Sequence, residues 1–352
     1  MGIKEKRDEI DEIDIQIVKL LAKRMEIVKE IGKEKLKNGI ELRDKDREAE
    51  IIRRVKETGR NYGIEELVER VYQDILYFSR QEQRDIKPYL KGKVVVLGPE
   101  GSYTEEAALN IFSDPVIIYA PDIYSVFKSV EKGADYGVVP IENSIEGSIS
   151  ATIDFLSKFN VKICGEIIIP IEHVYATANK EPKKLFSHQQ AISQCRSFID
   201  SVDIEIIPVG STAIGAKLAK RFKEATICSE RAAKIYGLKV IKKVGGEGNY
   251  TRFFVISERD SKRTGEDKSA IIVYFERDEP GILYKLLEEF AERNINLTKI
   301  ESRPIAISEG HFFFIEFEGH RSDEVVADCI TSLKKMADGV KILGSYKRWK
   351  YI

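Results

Sequence analysis

The sequence predicts a multidomain protein with an all-α domain, an α/β domain and an α+β domain, in that order. Residues 1–88 carry only helical periodicity, and residues 91–262 alternate short apolar strands with helices. Residues 269–352 follow the order β-α-β-β-α-β, which is the ferredoxin-like arrangement. The length of 352 residues accommodates three such domains at roughly 100 residues each.

The composition excludes several classes of function. Lys and Arg (57) nearly balance Asp and Glu (58), so no strong field points to nucleic acid or a membrane surface as a partner. The charged N-terminus and the lack of a long apolar run lead us to expect a cytoplasmic protein. The cysteines are widely spaced, the four histidines form no ligand pattern, and no phosphate-binding glycine loop occurs. We therefore expect neither a metal nor a nucleotide cofactor.

The first predicted helix, over residues 5–36, carries basic residues along its apolar face. Its apolar residues recur every three or four positions: Ile10, Ile13, Ile17, Leu20, Leu21, Val28 and Ile31. Arg7 precedes this stripe, Arg24 interrupts it and Lys35 follows it. Because burying an unpaired cation is costly, these residues indicate a bound acid with carboxylates. The helix is about 45 Å long, more than a small monomeric domain covers, so we expect it to pair with a second chain.

Two further helices, over residues 43–58 and 64–84, also carry polar residues on their apolar faces. These polar residues are Asp44, Arg47 and Glu48 in the second helix and Ser79 and Gln83 in the third. With the three cations of the first helix they can face one interior. The alternative is a set of structural charges, such as an Arg47–Asp44 ion pair or helix-end charges in solvent.

This combination of residues resembles the all-helical chorismate mutase domain, which rearranges chorismate to prephenate and forms intertwined dimers through its long first helix. The resemblance implies that Arg7, Arg24 and Arg47 hold the two carboxylates, with Arg7 supplied by the partner subunit. It implies that Lys35 and Gln83 donate to the ether oxygen, while Glu48 and Asp44 face the ring hydroxyl or its backbone contacts. Such a rearrangement needs only a compact substrate conformer and stabilisation of developing charge.

The α/β domain places small polar residues after several predicted strands. The strands are Val94–Leu97, Gly137–Ile141, Lys184–Phe186 and Ile204–Val209. Each precedes a turn with Ser, Thr or Asn ahead of a helix N-terminus, where free N–H groups attract anions. These residues are ordinary helix caps in one interpretation. Their repetition at strand ends favours a ligand cleft instead.

Five stretches of this domain resemble prephenate dehydratases, over residues 92–258. They are GPEGSYT (98–104), VPIENSIEG (139–147), SHQQAISQC (187–195), GSTA (210–213) and NYTRF (249–253). The resemblance implies two α/β lobes around a cleft, as in type II periplasmic binding proteins, and usually a dimer. It implies conversion of prephenate to phenylpyruvate with loss of water and carbon dioxide, driven by aromatisation.

The same resemblance assigns roles to individual residues. Thr251 assists departure of the hydroxide, with Glu142 as a second candidate acid. Arg252 either holds a substrate carboxylate or orients its strand from outside. The residues expected to position the substrate are Asn143, Ser187 and Gln194, with further contacts from Ser102, Thr104, Ser144 and Phe253.

The C-terminal domain contains no plausible nucleophile–base pair, so binding or regulation fits it better than catalysis. Two of its motifs resemble the phenylalanine-sensing motifs of the ACT domain: Gly281-Ile282-Leu283 and Glu301-Ser302-Arg303-Pro304. The resemblance implies L-phenylalanine as an inhibiting effector. The family usually has alanine where Ile282 stands, and a bulkier residue there alters the pocket.

Together these features predict a bifunctional chorismate mutase/prephenate dehydratase with an ACT regulatory domain. Its expected ligands are chorismate, prephenate and L-phenylalanine, and its expected state is a homodimer or a homotetramer. One alternative is an amino-acid-responsive binding protein without turnover. Another is a dehydratase whose helical domain serves only to dimerise the chain.

Overall fold

The computed structural model describes residues 2–38, 44–84, 91–277, 279–305 and 310–350, without the side chains of residues 36–38, 45, 81, 83–84 and 348–350. The chain divides into two compact units. One, here the helical unit, comprises Met1–Tyr89 and Arg263–Gly265, and the other, here the sheet unit, comprises Leu90–Lys262 and Glu266–Ile352. No helix in the described ranges is both long and apolar enough to cross a membrane.

The helical unit contains the three predicted helices: α1 (Ile3–Asn38), α2 (Lys45–Arg60) and α3 (Glu65–Arg84). α3 packs against both α1 and α2. The turn between α2 and α3 places Gly63 at φ +68°, a conformation that glycine adopts without strain. Gly59 lies where the two helices meet, and a Cβ there would clash with Val68 and with the backbone of Glu65.

The apolar stripe of α1 is largely uncovered within one chain. Ile10, Ile13 and Leu20 are 55, 50 and 67% exposed, whereas Val28 is buried. A helix of 36 residues is about 54 Å long, and two shorter helices cover only part of it. The stripe is therefore an exposed apolar surface of the kind that mediates protein association.

The sheet unit begins with a first lobe built on a mixed sheet. Its elements are β1 (Lys93–Leu97), α4 (Tyr103–Ile111), β2 (Val116–Ala120), α5 (Ile123–Glu131), β3 (Tyr136–Asn143), β4 (Gly147–Ser148), α6 (Ser150–Lys158), β5 (Lys162–Pro170) and, later in the chain, β11 (Tyr250–Ser257). β11 lies between β3 and β5 and runs antiparallel to both. The start of β11 and the end of β3 therefore meet at one edge of this lobe.

The second lobe is a five-stranded sheet with short helices. Its elements are β6 (His173–Thr177), β7 (Lys184–Ser187), α7 (Gln189–Gln194), α8 (Arg196–Ile199), β8 (Glu205–Pro208), α9 (Thr212–Phe222), β9 (Ala225–Cys228), α10 (Glu230–Ile235) and β10 (Lys239–Gly245). The strand order is β10-β6-β9-β7-β8. The predicted two-lobed α/β fold is confirmed.

The chain passes between the lobes twice, after β5 and after β10, and the two passages are in contact. The N–H of Ile171 donates to the carbonyl oxygen of Asn249 over 2.9 Å. Gly246 has φ +103°, and a Cβ there would clash with the backbone of Ile171 and Glu172. Glycine is therefore required where the second passage crosses the first.

The C-terminal domain has the predicted β-α-β-β-α-β order. Its elements are β12 (Asp267–Phe275), α11 (Ile282–Ala291), β13 (Leu297–Pro304), β14 (His311–Glu318), α12 (Glu324–Met336) and β15 (Gly339–Lys350). The far end of β15 pairs in parallel with β5, with Arg348 opposite Glu166. The sheet of the first lobe and that of the C-terminal domain are thus one ten-stranded sheet.

Candidate active sites

The helical unit joins two of its predicted site residues through a hydrogen bond between facing helices. Arg24 on α1 donates from Nη1 to Ser79 Oγ on α3 over 2.5 Å. Ser79 is buried and donates onward to the carbonyl oxygen of Ile75 over 2.6 Å. The guanidinium of Arg24 is thereby held against the buried face of α3.

Glu48 on α2 is held by an arginine that the sequence pattern did not single out. Arg80 Nη1 lies 3.1 Å from Glu48 Oε2, and both side chains are partly buried. The guanidinium of Arg80 also lies 6.0 Å from the ring centroid of Tyr77. Arg80 follows the buried Leu76 by four residues, and this spacing predicts that both residues lie on the same face of α3.

The remaining predicted residues of the helical unit are more exposed or lie far apart along α1. Asp44 accepts from the backbone N–H of Arg47 over 2.9 Å as the cap of α2, while the Arg47 guanidinium pairs with Glu50 at 2.6 Å. Lys35 is half-buried and Arg7 is exposed. The side chain of Gln83 lies outside the described part of the structure. Lys35 lies 28 positions after Arg7, about 42 Å along the helix, which is too far for one small ligand to bridge.

The edge where β3 and β11 meet carries a hydrogen-bond network centred on Asn143. Asn143 Oδ1 accepts from the backbone N–H groups of Ile145 and Glu146 over 3.1 and 3.2 Å. These two donors determine which end of the amide is oxygen. Asn143 Nδ2 therefore donates to Thr251 Oγ1 over 3.0 Å and to Asn249 Oδ1 over 2.9 Å.

Thr251 is left as a hydrogen-bond donor by this arrangement. Its Oγ1 accepts from Asn143, and the described residues offer no acceptor for its own hydroxyl hydrogen. The side chain is buried, and Thr251 is the second residue of strand β11. A hydroxyl that accepts from an amide and still has its hydrogen to give is suited to assist a departing oxygen.

The network continues from the first lobe into the second. Asn249 Nδ2 donates to Gln194 Oε1 over 2.9 Å, and His173 Nε2 lies 3.1 Å from the same oxygen. Ser144 Oγ accepts from the N–H of Tyr250 over 3.0 Å and lies 3.3 Å from Asn249 Oδ1. The structure therefore brings four predicted residues together: Asn143, Ser144, Gln194 and Thr251.

A cavity of about 920 Å³ lies beside this network, with Gln194 and Asn249 in its lining. The turn after β3 contributes Glu146, and β10 contributes Lys242. A cavity of this size is typical of sites for small molecules. The lining combines the amides of Gln190, Gln194 and Asn249 with two lysines and two glutamates, so it offers donors to a polar substrate.

The other predicted site residues of the two lobes lie outside this network. Ser187 Oγ donates to the carbonyl oxygen of Ile227 over 2.6 Å. Ser102 caps α4 and donates to the carbonyl oxygen of Leu97 over 2.6 Å. Thr104 and Phe253 are buried in the first lobe. Within the described ranges, no hydrogen bond joins the side chains of these four residues to the network around Thr251.

Arg252 faces away from Thr251, because adjacent residues of a strand point to opposite faces. Its guanidinium forms a bidentate pair with Glu316 of β14 (2.6 and 2.8 Å) and also contacts Glu166 of β5 (2.9 Å). Lys268 of β12 lies 3.2 Å from both carboxylates. This geometry corresponds to the second predicted role of Arg252, in which it orients its strand from outside.

Glu142 lies on the same side of the sheet as Arg252. Its Oε2 is 3.0 Å from Arg252 Nη2 and 3.1 Å from Lys299 Nζ of β13. The neighbouring Asn143 points to the opposite face, toward Thr251. The structure thus places the second candidate acid against two cations of the domain junction rather than beside the Thr251 hydroxyl.

The charge cluster of Arg252, Lys268, Glu166 and Glu316 is buried and balanced, two charges of each sign. Burial alone would raise the pKa of Glu316, but Arg252, Lys268 and a hydrogen bond from Tyr346 lower it to about 2. Burial opposes the charge on Arg252 as well, and Glu316 raises the pKa of Arg252 above its ordinary value. The cluster therefore joins the first lobe to the C-terminal domain by buried ion pairs.

The predicted effector motifs lie on two elements of the C-terminal domain. Gly281 precedes α11 at φ +88°, Ile282 packs partly against the core, and Leu283 is exposed. On β13, Glu301 and Arg303 are more buried than Ser302 and Pro304, which lie on the other face. Arg303 donates to Asp154 of α6 over 2.9 and 3.1 Å and to Ser150 Oγ over 3.0 Å. Its guanidinium therefore contacts the first lobe.

Cys195, which follows Gln194, does not have the environment of a nucleophilic cysteine. Burial raises the pKa of Cys195 to about 11, so the thiol stays protonated at neutral pH. No group of three or more His, Cys, Asp or Glu side chains that could hold a metal ion occurs among the described residues.

Comparisons with known proteins cover nearly the whole chain. The helical unit matches the model for chorismate mutase type II over residues 6–84. The two lobes match prephenate dehydratase over residues 94–261, and the C-terminal domain matches the ACT domain over residues 269–334. These matches confirm the three resemblances predicted from the sequence.

Individual relatives agree with the family models. A bifunctional chorismate mutase/prephenate dehydratase of Aquifex aeolicus is 38% identical and aligns over 98% of each chain. A prephenate dehydratase of Methanocaldococcus jannaschii is 38% identical, over 72% of this chain and 97% of its own. A solved prephenate dehydratase of Arthrobacter aurescens in complex with L-Phe is 32% identical, with a TM-score of 0.67 over 74% of this chain and 90% of that one. The chain belongs to the family of bifunctional chorismate mutase/prephenate dehydratases.

Proposed function

We propose that the chain catalyses two successive reactions. The helical unit rearranges chorismate to prephenate, and the two lobes convert prephenate to phenylpyruvate with loss of water and carbon dioxide. The observation that carries the second reaction is the hydrogen bond from Asn143 to Thr251, which leaves the Thr251 hydroxyl able to donate. The guanidinium of Arg24, held against α3 by the buried Ser79, supports the first.

In the mutase site, Arg24 and Arg47 bind the substrate carboxylates, and Lys35 with Gln83 donates to the ether oxygen. Donors aimed at that oxygen stabilise the charge that develops as the C–O bond breaks. Glu48, which Arg80 orients, and Asp44 face the ring hydroxyl or its backbone contacts. Because the reaction is pericyclic, these groups need only select the compact conformer and stabilise its charge.

Arg7 completes the mutase site of the partner subunit. Within one chain, Arg7 lies about 25 Å from Arg24 along the helix axis, farther than a small acid reaches. An antiparallel second copy that crosses α1 at Ile17 brings its Arg7 level with position 27, between Arg24 and Lys35. Ile17 belongs to the exposed apolar stripe, and covering that stripe supplies the driving force for a homodimer.

In the dehydratase site, the cavity holds prephenate through the amides of Gln194 and Asn249. The bond between the ring and its carboxylate breaks to release carbon dioxide, and its electron pair completes the aromatic ring. The same electron flow expels the ring hydroxyl as hydroxide. Thr251 donates its hydrogen bond to the departing oxygen, while Asn143 holds the Thr251 oxygen in place.

L-Phenylalanine inhibits the dehydratase by binding to the ACT domain. The effector-bound relative from Arthrobacter aurescens supports this assignment. The Gly281 turn and the outer face of β13 are the expected contacts. Arg303 contributes by joining β13 to α6 of the first lobe, where it pairs with Asp154.

The overall function is tested by following chorismate to phenylpyruvate with the full-length enzyme, with and without L-phenylalanine. We expect both steps to turn over and the second to slow in millimolar phenylalanine. A pure binding protein shows neither step. Unchanged dehydratase kinetics, together with no phenylalanine binding by calorimetry, contradicts the effector role.

The Lys35→Ala variant separates a true mutase from a helical domain that only dimerises the chain. We expect mutase turnover to fall by about 100-fold or more, since Lys35 donates where charge develops, while prephenate dehydration stays unchanged. Lys33→Ala, on an exposed position of the same helix, is the matched control. Equal mutase rates for K35A and K33A contradict the proposed site.

A further inference from the structure

His173 is linked to Thr251 by a continuous chain of hydrogen bonds. It begins β6 in the second lobe and is 3% exposed. Its Nε2 lies 3.1 Å from Gln194 Oε1, the oxygen that also accepts from Asn249. Its ring packs edge-on against Tyr103 of the first lobe, with ring centroids 6.3 Å apart. The ring is therefore held between the two lobes, one residue after the passage that joins them.

The direction of every hydrogen bond in this chain follows from its Asn143 end. Two backbone N–H groups occupy Asn143 Oδ1, so Asn143 donates from Nδ2 to Asn249 Oδ1. The Asn249 amide then donates from Nδ2 to Gln194 Oε1. Since that oxygen can only accept, His173 donates to it from Nε2–H. Burial lowers the pKa of His173, and the hydrogen bond with Gln194 opposes this only in part, so the imidazole is neutral.

Because both of these hydrogen bonds go to the oxygen of Gln194, its Nε2–H groups remain available to a different acceptor. Its Nε2 is buried and has no hydrogen-bond partner in the described ranges of the chain. The same side chain lines the cavity beside the network. A buried amide donor without a partner is costly, and a ligand carboxylate that reaches it satisfies it.

We propose that His173 is a positioning residue of the dehydratase. It holds the Gln194 amide with its oxygen turned toward His173 and Asn249, so that the Nε2–H groups face a carboxylate of a dicarboxylate substrate. The inference rests on the dehydratase function proposed above. His173 itself acts through Gln194 and needs no contact with the substrate.

Two substitutions of His173 test this role in the full-length enzyme with prephenate as the substrate. His173→Phe keeps an aromatic ring but removes the donor, so the Gln194 oxygen keeps only the hydrogen bond from Asn249. We expect KM to rise about tenfold with kcat changed by less than about threefold, which is the pattern of lost binding rather than lost chemistry. His173→Gln places an amide N–H where Nε2 stood, and we expect its KM to stay within about threefold of the wild type.

His311→Asn is the matched control, because His311 lies at the start of β14 in the C-terminal domain and has no part in the Gln194 network. We expect its KM to equal that of the wild type. If H173F does not unfold cooperatively, His173→Met replaces it as the variant without a donor. An unchanged KM in the donor-free variant, or an equal rise in that variant and in H173Q, overturns the inference. A wild-type enzyme that does not dehydrate prephenate overturns the proposed function and this inference with it.

Discussion

The orientation of one amide organises the dehydratase site at the scale of single residues. Two backbone N–H groups donate to the oxygen of Asn143, so its Nδ2 must donate to the next group. This sets the donor and the acceptor in each further hydrogen bond of the network. Thr251 is thereby left with a hydrogen to give. Its neighbour Arg252 points to the opposite face of β11, into the charge cluster. Two adjacent residues of one motif therefore serve two different parts of the molecule.

Removing the Thr251 hydroxyl tests its role directly. We expect Thr251→Ala to lower the dehydratase kcat by about 100-fold or more, because the departing hydroxide loses its hydrogen-bond donor. Thr251→Ser keeps the hydroxyl and retains most of the activity. Stopped assays of phenylpyruvate release measure both, and chorismate consumption by the same preparation is unchanged. A T251A enzyme that dehydrates prephenate within about threefold of the wild type contradicts this role.

The residues that could be predicted at this site are those that lie in sequence motifs. Thr251, Asn143 and Gln194 each stand in a stretch where several unusual residues occur together. His173 stands alone at the start of an apolar strand, where a histidine is usually only a packed side chain. Its link to Gln194 joins residues 21 positions apart through a fold that no local pattern reveals.

At the scale of elements, β11 is the strand that carries both the proposed dehydratase donor and a contact with the ACT domain. It carries Thr251 at the site edge and Arg252 in the charge cluster with Glu316 of the ACT domain. The pairing of β15 with β5 makes the two sheets continuous beside it. A displacement of the ACT domain therefore acts on the strand that positions the dehydratase donor.

The buried carboxylate of Glu316 predicts a defined pH dependence of stability. Its pKa is about 2 in the folded protein and 4.5 when unperturbed. Its ionised form therefore stabilises the fold fully above the unperturbed value, and this contribution is lost as the pH falls from there toward the folded value. We expect Glu316→Gln to lower Tm at neutral pH, with the gap to the wild type narrowing in acid.

Scanning calorimetry from about pH 7 to about pH 3.5 measures this gap across the range where the unfolded carboxylate takes up its proton. Glu318→Gln is the control, since Glu318 lies on the same strand with an exposed side chain. We expect it to follow the wild type throughout. A difference between E316Q and the wild type that stays constant with pH contradicts the assigned ionisation.

The contact between β13 and α6 predicts how the effector motif works. Asp154→Ala removes the partner of Arg303 without touching the motif itself. We expect phenylalanine inhibition to weaken about fivefold or more, because the coupling between domains is reduced, while calorimetry shows unchanged phenylalanine binding. Arg303→Ala behaves in the same way, and Lys158→Ala, exposed on the same helix, retains full inhibition. Loss of inhibition in R303A alone shows instead that Arg303 binds the effector.

Periodicity was sufficient to predict the helices and the β-α-β-β-α-β order. The three helices of the helical unit lie within a few residues of their predicted bounds, because their apolar spacing and the Asn61-Tyr62-Gly63 break are local signals. The pairing of Arg348 with Glu166 was not predictable, since it joins positions far apart in the chain. Glu166 and Glu316 also look like solvent-facing residues of alternating strands, although both are fully buried.

At the scale of the whole molecule, the two activities reside in separate units that depend on different kinds of assembly. The dehydratase network lies within the sheet unit of one chain. The proposed mutase site needs a second chain, because Arg7 and Lys35 lie at opposite ends of α1 and the apolar stripe between them is exposed. We therefore propose that a second chain supplies Arg7.

Mixing two inactive variants tests this claim most directly. Arg7→Ala and Lys35→Ala each lack mutase turnover as homodimers, but a mixed dimer contains one site with Lys35 from one chain and Arg7 from the other. After the chains are unfolded together and refolded, random pairing restores about a quarter of the wild-type mutase activity. Mutase activity no higher than that of the separate variants, in a mixture shown to contain mixed dimers, contradicts the shared site.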